Sequence, residues 1–144
     1  MTIQQLSIFV ENRVGRLAEI TGILKDNGID IRALSLADTT KFGILRLIVD
    51  RPEQAAEALK AAGMTVSLTN VIAIGVGDRP GGLAEAAAAL YEAGITVEYM
   101  YAFISGSGDT ANIILRVDDN ATTLDVLGRA GITVLSPEEV AQVG

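Results

Sequence analysis

The chain has 144 residues, 49% of them hydrophobic, and carries a formal net charge of −7 without a single cysteine or histidine. That composition suits a packed core in one ordinary domain or two very small ones. It excludes disulfides, thiolate nucleophiles, zinc–thiolate sites and every histidine-based triad, general base or metal cluster.

In chain order, residues 3–10 read as a strand, with Ile8 and Val10 on one face and Phe9 on the other. Residues 15–27 place Leu17, Ile20, Ile23 and Leu24 at the spacing of one helix face, and Gly28 sits where a helix C-terminal glycine belongs. Residues 29–38 alternate Ile29, Ile31 and Ala33 against Asp30 and Arg32, which predicts a second strand. A turn at 39–42 leads into a third strand over 43–50, and Pro52 marks the start of a second helix through Ala55, Ala56 and Leu59. That helix is expected to end at Gly63, with a last strand over 64–71.

The same order then returns. Residues 12–31 align with 78–97 without a gap, with identical pairs at Arg13/Arg79, Gly15/Gly81, Leu17/Leu83, Leu24/Leu90 and Gly28/Gly94. Further on, Val49/Val117, Leu59/Leu127 and Gly63/Gly131 match with two more residues between the copies, an insertion best placed in the loop 105–109. The second copy predicts strands at 71–76, 95–104, 110–117 and 132–135 and helices at 81–93 and 120–130. Ser136-Pro137-Glu138-Glu139 then carries a helix-start pattern, with Ser at the cap and Glu three residues later. Each copy thus reads β-α-β-β-α-β, an α+β ferredoxin-like unit. The expected architecture is two tandem copies, at residues 1–70 and 71–144, with antiparallel sheets side by side.

Asn12-Arg13-Val14-Gly15-Arg16-Leu17 and Asp78-Arg79-Pro80-Gly81-Gly82-Leu83 are the two copies of one glycine turn between a strand and a helix. Unpaired N–H groups at a helix start suit a small anion or a carboxylate. Plainer readings stand beside this one: both glycines as tight corners, Asn12 and Asp78 as helix caps, Arg13 and Arg79 pointing to solvent. Glu19 and Glu85 lie inside the helices and read as surface charges.

A ferredoxin-like unit with a D-x-P-G-x-L-A turn opening its first helix resembles the ACT domain, a regulatory amino-acid-binding module. Residues 78–84 match that pattern in full, and 12–18 match it with Asn for Asp and Val for Pro. Gly28-Ile29-Asp30-Ile31, Gly94-Ile95-Thr96-Val97 and Glu98-Tyr99-Met100-Tyr101 extend the likeness over essentially the whole chain, closest to small stand-alone proteins made of two ACT domains. The resemblance implies a free amino acid held between the first turn of one domain and the second strand of the other, without bond chemistry or cofactor. On the turns the implied ligand contacts are Asn12, Arg13, Val14, Gly15, Arg16, Leu17, Asp78, Arg79, Pro80, Gly81, Gly82 and Leu83. On the second strands they are Leu34, Ser35, Met100 and Tyr101. Asp78 would receive the ligand ammonium, a role in which Asn12 offers only a neutral acceptor, so the two turns are not expected to be equal.

Tyr99 and Tyr101 align with Ala33 and Ser35 and are expected to face the helices, leaving Leu34, Leu36, Met100, Ala102 and Ile104 as an apolar strip on the open sheet face. That strip motivates a homo-oligomer, a dimer in the simplest case. Arg32 aligns with Glu98, which invites an ion pair if the second strands meet. The output of a sensor without an attached catalytic domain passes through oligomerisation or a partner such as a metabolic enzyme. No apolar run approaches the roughly 20 residues of a membrane span, and the N-terminus lacks a secretory pattern, so the expected setting is the cytoplasm. The acidic balance and 4% aromatic content argue against nucleic acid. The rival reading is a ligand-free interaction and oligomerisation module; an acylphosphatase-like enzyme would have to force Arg13 or Arg79 and Asn112 into catalytic roles.

Overall fold

A computed structural model describes residues 1–11, 13–38, 41–106 and 108–142. Two compact units emerge, one of residues 4–69 and one of residues 1–3 with 70–144. The first contains most of β1 (Ile3–Glu11), α1 (Arg16–Asp26), β2 (Ile31–Asp38), β3 (Phe42–Val49), α2 (Pro52–Ala61) and the start of β4 (Thr65–Gly77). The second continues along β4 and adds α3 (Gly82–Glu92), β5 (Val97–Ala102), β6 (Thr110–Val117), α4 (Asn120–Arg129), β7 (Thr133–Val134) and α5 (Pro137–Gln142).

Strand order is β2-β3-β1-β4 in the first unit, and β5-β6-β4-β7 repeats it in the second. This is the α+β ferredoxin-like arrangement, twice. In the first unit Leu6, Ile8, Leu45, Leu47 and Val49 of the sheet pack with Ile20 and Leu24 of α1 and Leu59 of α2. In the second, Ile72, Ile74, Leu115 and Val117 pack with Ala86 and Leu90 of α3 and Leu127 of α4. Each fully buried Leu or Ile of these clusters contributes roughly 1.5–3 kcal/mol of transfer free energy. α1 and α3 close alike: Ile29 N–H donates to Leu24 O at 2.9 Å and Ile95 N–H to Leu90 O at 3.0 Å, across the left-handed Gly28 and Gly94. The pattern at 136–139 forms a capping box, in which Ser136 Oγ accepts from Glu139 N–H and Glu139 Oε1 accepts from Ser136 N–H, both at 3.1 Å.

Two features differ from the sequence reading. The last strand of the first copy and the first strand of the second form one uninterrupted strand of 13 residues, β4. The face assignment of the second strands is reversed beyond their first residue. In β2 the register shifts between Ile31, opposite Val49, and Ala33, opposite Ile48. In β5 it shifts between Val97, opposite Val117, and Tyr99, opposite Arg116. Each shift is a β-bulge, and one extra residue transfers every later side chain to the other face. Leu34 and Leu36 therefore stand beside Leu47 and Leu45, and Met100 beside Leu115, on the helix-covered side. Tyr99 and Tyr101 lie on the opposite side, with ring centroids 6.5 Å apart. Leu34, Leu36, Met100 and Ile104 are exposed as expected. The apolar strip is thus the uncovered rim of the helix-bearing face, not the open face.

Candidate functional site

The two glycine turns have the same backbone. Gly15 (φ 87°, ψ −8°) is the N-cap of α1 and Gly81 (φ 88°, ψ −9°) that of α3. A left-handed residue at this point is a glycine position, because a Cβ would clash with the following carbonyl. Arg16 N–H donates to Arg13 O at 3.4 Å and Gly82 N–H to Arg79 O at 3.0 Å. The Gly15 and Gly81 carbonyls already accept from Glu19 and Glu85. Among the described residues, no side chain caps either helix. Among the described residues, the N–H groups at their second and third positions, those of Leu17 and Ala18 and of Leu83 and Ala84, therefore have no capping side chain at the positive end of the helix dipole. By contrast α4 is capped by Asp119, whose Oδ1 accepts from Thr122 N–H at 3.1 Å, and α5 by Ser136.

Around this shared backbone the side chains differ. Asn12 lies outside the described residues. Val14 is fully exposed at the tip of the first turn, and Asp78 and Pro80 are exposed in the second. Arg13 pairs with Glu11 at 3.4 Å, both in solvent. Arg79 reaches Glu85 at 2.7 Å, and the hydrogen bond and charge of Glu85 hold its guanidinium pKa above the ordinary value. Arg16 is another matter: only 15% of its side chain is exposed. Its Nη1 meets Glu19 at 3.0 Å, while the buried Nε has no hydrogen-bond partner among the described residues. Gly82, at the aligned position, is buried, and a Cβ there would overlap the Gly77 carbonyl oxygen. That contact gives Gly82 a packing role.

Each turn borders a pocket within its own unit. Arg13, Arg16 and Leu17 line a cavity of about 240 Å³ with Leu36 of β2. Leu83 lines one of about 200 Å³ with Met100 of β5. The first has charged walls; the second is lined mainly by Ile, Leu, Ala and Val side chains, with Tyr91 and Met100. The implied second-strand contacts divide across the strand: Leu34 and Met100 on the helix side, Ser35 and Tyr101 on the other. Arg32 pairs with Asp30 at 3.3 Å and Glu98 with Arg116 at 3.2 Å.

The model of the ACT domain pair matches residues 1–143. The chain belongs to the ACT domain pair family. This ACT pair is 36% identical to a crystallised protein from Bacteroides thetaiotaomicron, with a TM-score of 0.94 over 99% of this chain and 98% of that one. Its fold is shared by the regulatory subunit of aspartate kinase from Thermus thermophilus in its ligand-free form, at 18% identity and a TM-score of 0.62 over 88% and 91% of the two chains. The corresponding subunit from Thermus flavus aligns at 15% identity and a TM-score of 0.60, covering 89% and 92%. No curated protein matches the ACT pair. Among its described residues, no helix is long and apolar enough to cross a membrane.

Proposed function

We propose that this ACT pair is a cytoplasmic regulatory sensor of a free amino acid, with its two domains at residues 1–70 and 71–144 and no bond chemistry of its own. The observation that carries the reading is the matched pair of uncapped helix starts behind left-handed Gly15 and Gly81. The open N–H groups receive the ligand carboxylate, aided by the helix dipole at a few tenths to about 1 kcal/mol. At the second turn Asp78 receives the ammonium. At the first, Arg16 and Arg13 add positive charge beside the carboxylate, and Asn12 contributes a neutral acceptor. The ligand side chain rests against a second strand, by way of Leu34 and Ser35 or Met100 and Tyr101. The likeness to regulatory subunits of aspartate kinase makes a metabolic enzyme the natural recipient of the signal.

Calorimetric titration with each of the twenty amino acids tests this. At least one should bind and raise the melting temperature, and Gly81→Leu should abolish binding at the second turn. Silence across all twenty rejects the sensor. The second reading, a ligand-free oligomerisation module, draws on the exposed rim of Leu34, Leu36, Met100 and Ile104. Light scattering tests it: a homodimer has twice the 15.0 kDa chain mass, and a clean monomer rejects this reading.

A further inference from the structure

A groove of about 540 Å³ lies in the second unit away from its glycine turn, bordered by Gly75 of β4, Thr110 and Asn112 of β6, Thr133 of β7, and Glu139 and Gln142 of α5. The register sets Gly75 opposite both Asn112 and Thr133, on the sheet face away from Ile74 and Leu115 and therefore away from α3 and α4. Its size is that of a small-molecule site.

Three observations single it out. Gly75 sits inside a strand without a positive φ, so the backbone does not call for glycine there. A Cβ at that point would lie 3.2 Å from the Thr110 methyl carbon and 3.5 Å from Asn112 Oδ1. Its absence opens the floor of the groove, the circumstance in which a strand glycine marks close approach by a ligand. Asn112 is 4% exposed, yet its side-chain amide makes no hydrogen bond among the described residues. A side-chain amide on the groove wall offers one acceptor and two donors to a ligand. The other copy supplies the control: its aligned residues are Phe9, Phe42 and Ile44, in the same register. Phe9 and Phe42 meet edge to face at 6.0 Å and border a smaller cavity of about 360 Å³ with Arg16 and Thr65, so the first copy has ring walls and a cation where the second has a glycine floor and an amide.

The lining also sets the ligand's charge. Among the described residues that line it, Glu139 is the one ionisable side chain, with no Lys or Arg beside it. One Glu139 oxygen accepts from Ser136 N–H, and a carboxylate keeps further lone pairs for a second donor. We propose that this groove binds a small molecule bearing a primary ammonium, directed at Glu139, with a neighbouring hydroxyl or amide for Asn112 and the threonines, and no anionic group. The site is independent of the amino-acid reading of the turns, since a free carboxylate meets no cation among the described lining residues.

L-Serinamide, which has the ammonium, hydroxyl and amide without a carboxylate, is the probe. Titrated to tens of millimolar into the 15N-labelled full chain, it should shift the Asn112 side-chain amide and the Gly75 backbone resonance, whereas N-acetylserine should not. Glu139→Gln preserves the capping box and should weaken binding about tenfold through loss of the charge-assisted contact. Asn112→Ile should abolish the Gly75 shift while the other resonances keep their folded dispersion. The proposal is overturned if serinamide shifts neither resonance, if N-acetylserine shifts them equally, if Glu139→Gln binds unchanged, or if folded Asn112→Ile still shows the Gly75 shift.

Discussion

The two copies of this chain have kept their corners and exchanged their faces. Gly15 and Gly81 agree within a degree in φ, and Leu24 and Leu90 are buried at the same point of α1 and α3. On the sheet face away from the helices, Phe9, Phe42 and Ile44 stand where Gly75, Thr110 and Asn112 stand in the other copy. At the helix start, a partly buried Arg16, whose Nε has no partner among the described residues, corresponds to a Gly82 pressed on a carbonyl. Duplication holds the residues that close the backbone and pack the helices. It releases those that meet whatever lies outside, and that is where the copies acquire different chemistry.

Core substitutions should show the sameness most strongly. Leu24→Ala and Leu90→Ala each remove a buried side chain between helix and sheet and should cost about 2–5 kcal/mol by urea denaturation. A loss confined to one of them would break the equivalence of the two cores. Gly82→Ala should cost about 3 kcal/mol, because the added methyl must displace α3 from the Gly77 carbonyl. Arg16→Ala, at the aligned position, should cost about 1 kcal/mol through lost packing of the stem. Gly15→Ala and Gly81→Ala should each cost about 1–2 kcal/mol, and equally, since the left-handed conformation is the same in both.

The smallest expected effect is a difference in acid response. Asp119 caps α4, and hydrogen bonds from the Thr122 backbone and side chain lower its folded pKa below the ordinary 3.8. A depressed carboxylate pKa contributes stability that is present above the unfolded value and is lost as pH falls through the folded one. The aligned N-cap of α2 is Arg51, which makes no such cap. Asp119→Asn should therefore flatten the stability profile below pH 3.8, while Arg51→Ala leaves its shape unchanged. Urea titrations across that range check both.

The fold was legible in the sequence because its signals are local and repeated: helix periodicity in 15–27 and 81–93, glycine at each helix end, and an undivided alignment of 12–31 with 78–97. The faces of the second strands were misread because alternation was carried straight through the bulges. The signal was present, though: the apolar residues change parity from Ile29 and Ile31 to Leu34 and Leu36, and from Ile95 and Val97 to Met100 and Ala102. The turns could be placed from sequence, but the burial of Arg16 could not, since the aligned glycine gives no hint of it. The groove at Asn112 had one visible mark, a glycine within the apolar run 71–76. Its remaining walls come from β6, β7 and α5, and only the folded chain assembles them.

β4 serves both units without a break, with Val66 in the first core and Ile72, Ile74 and Val76 in the second. A strand of that kind offers no looped segment to cut, so limited digestion should find no soft site between residues 65 and 77.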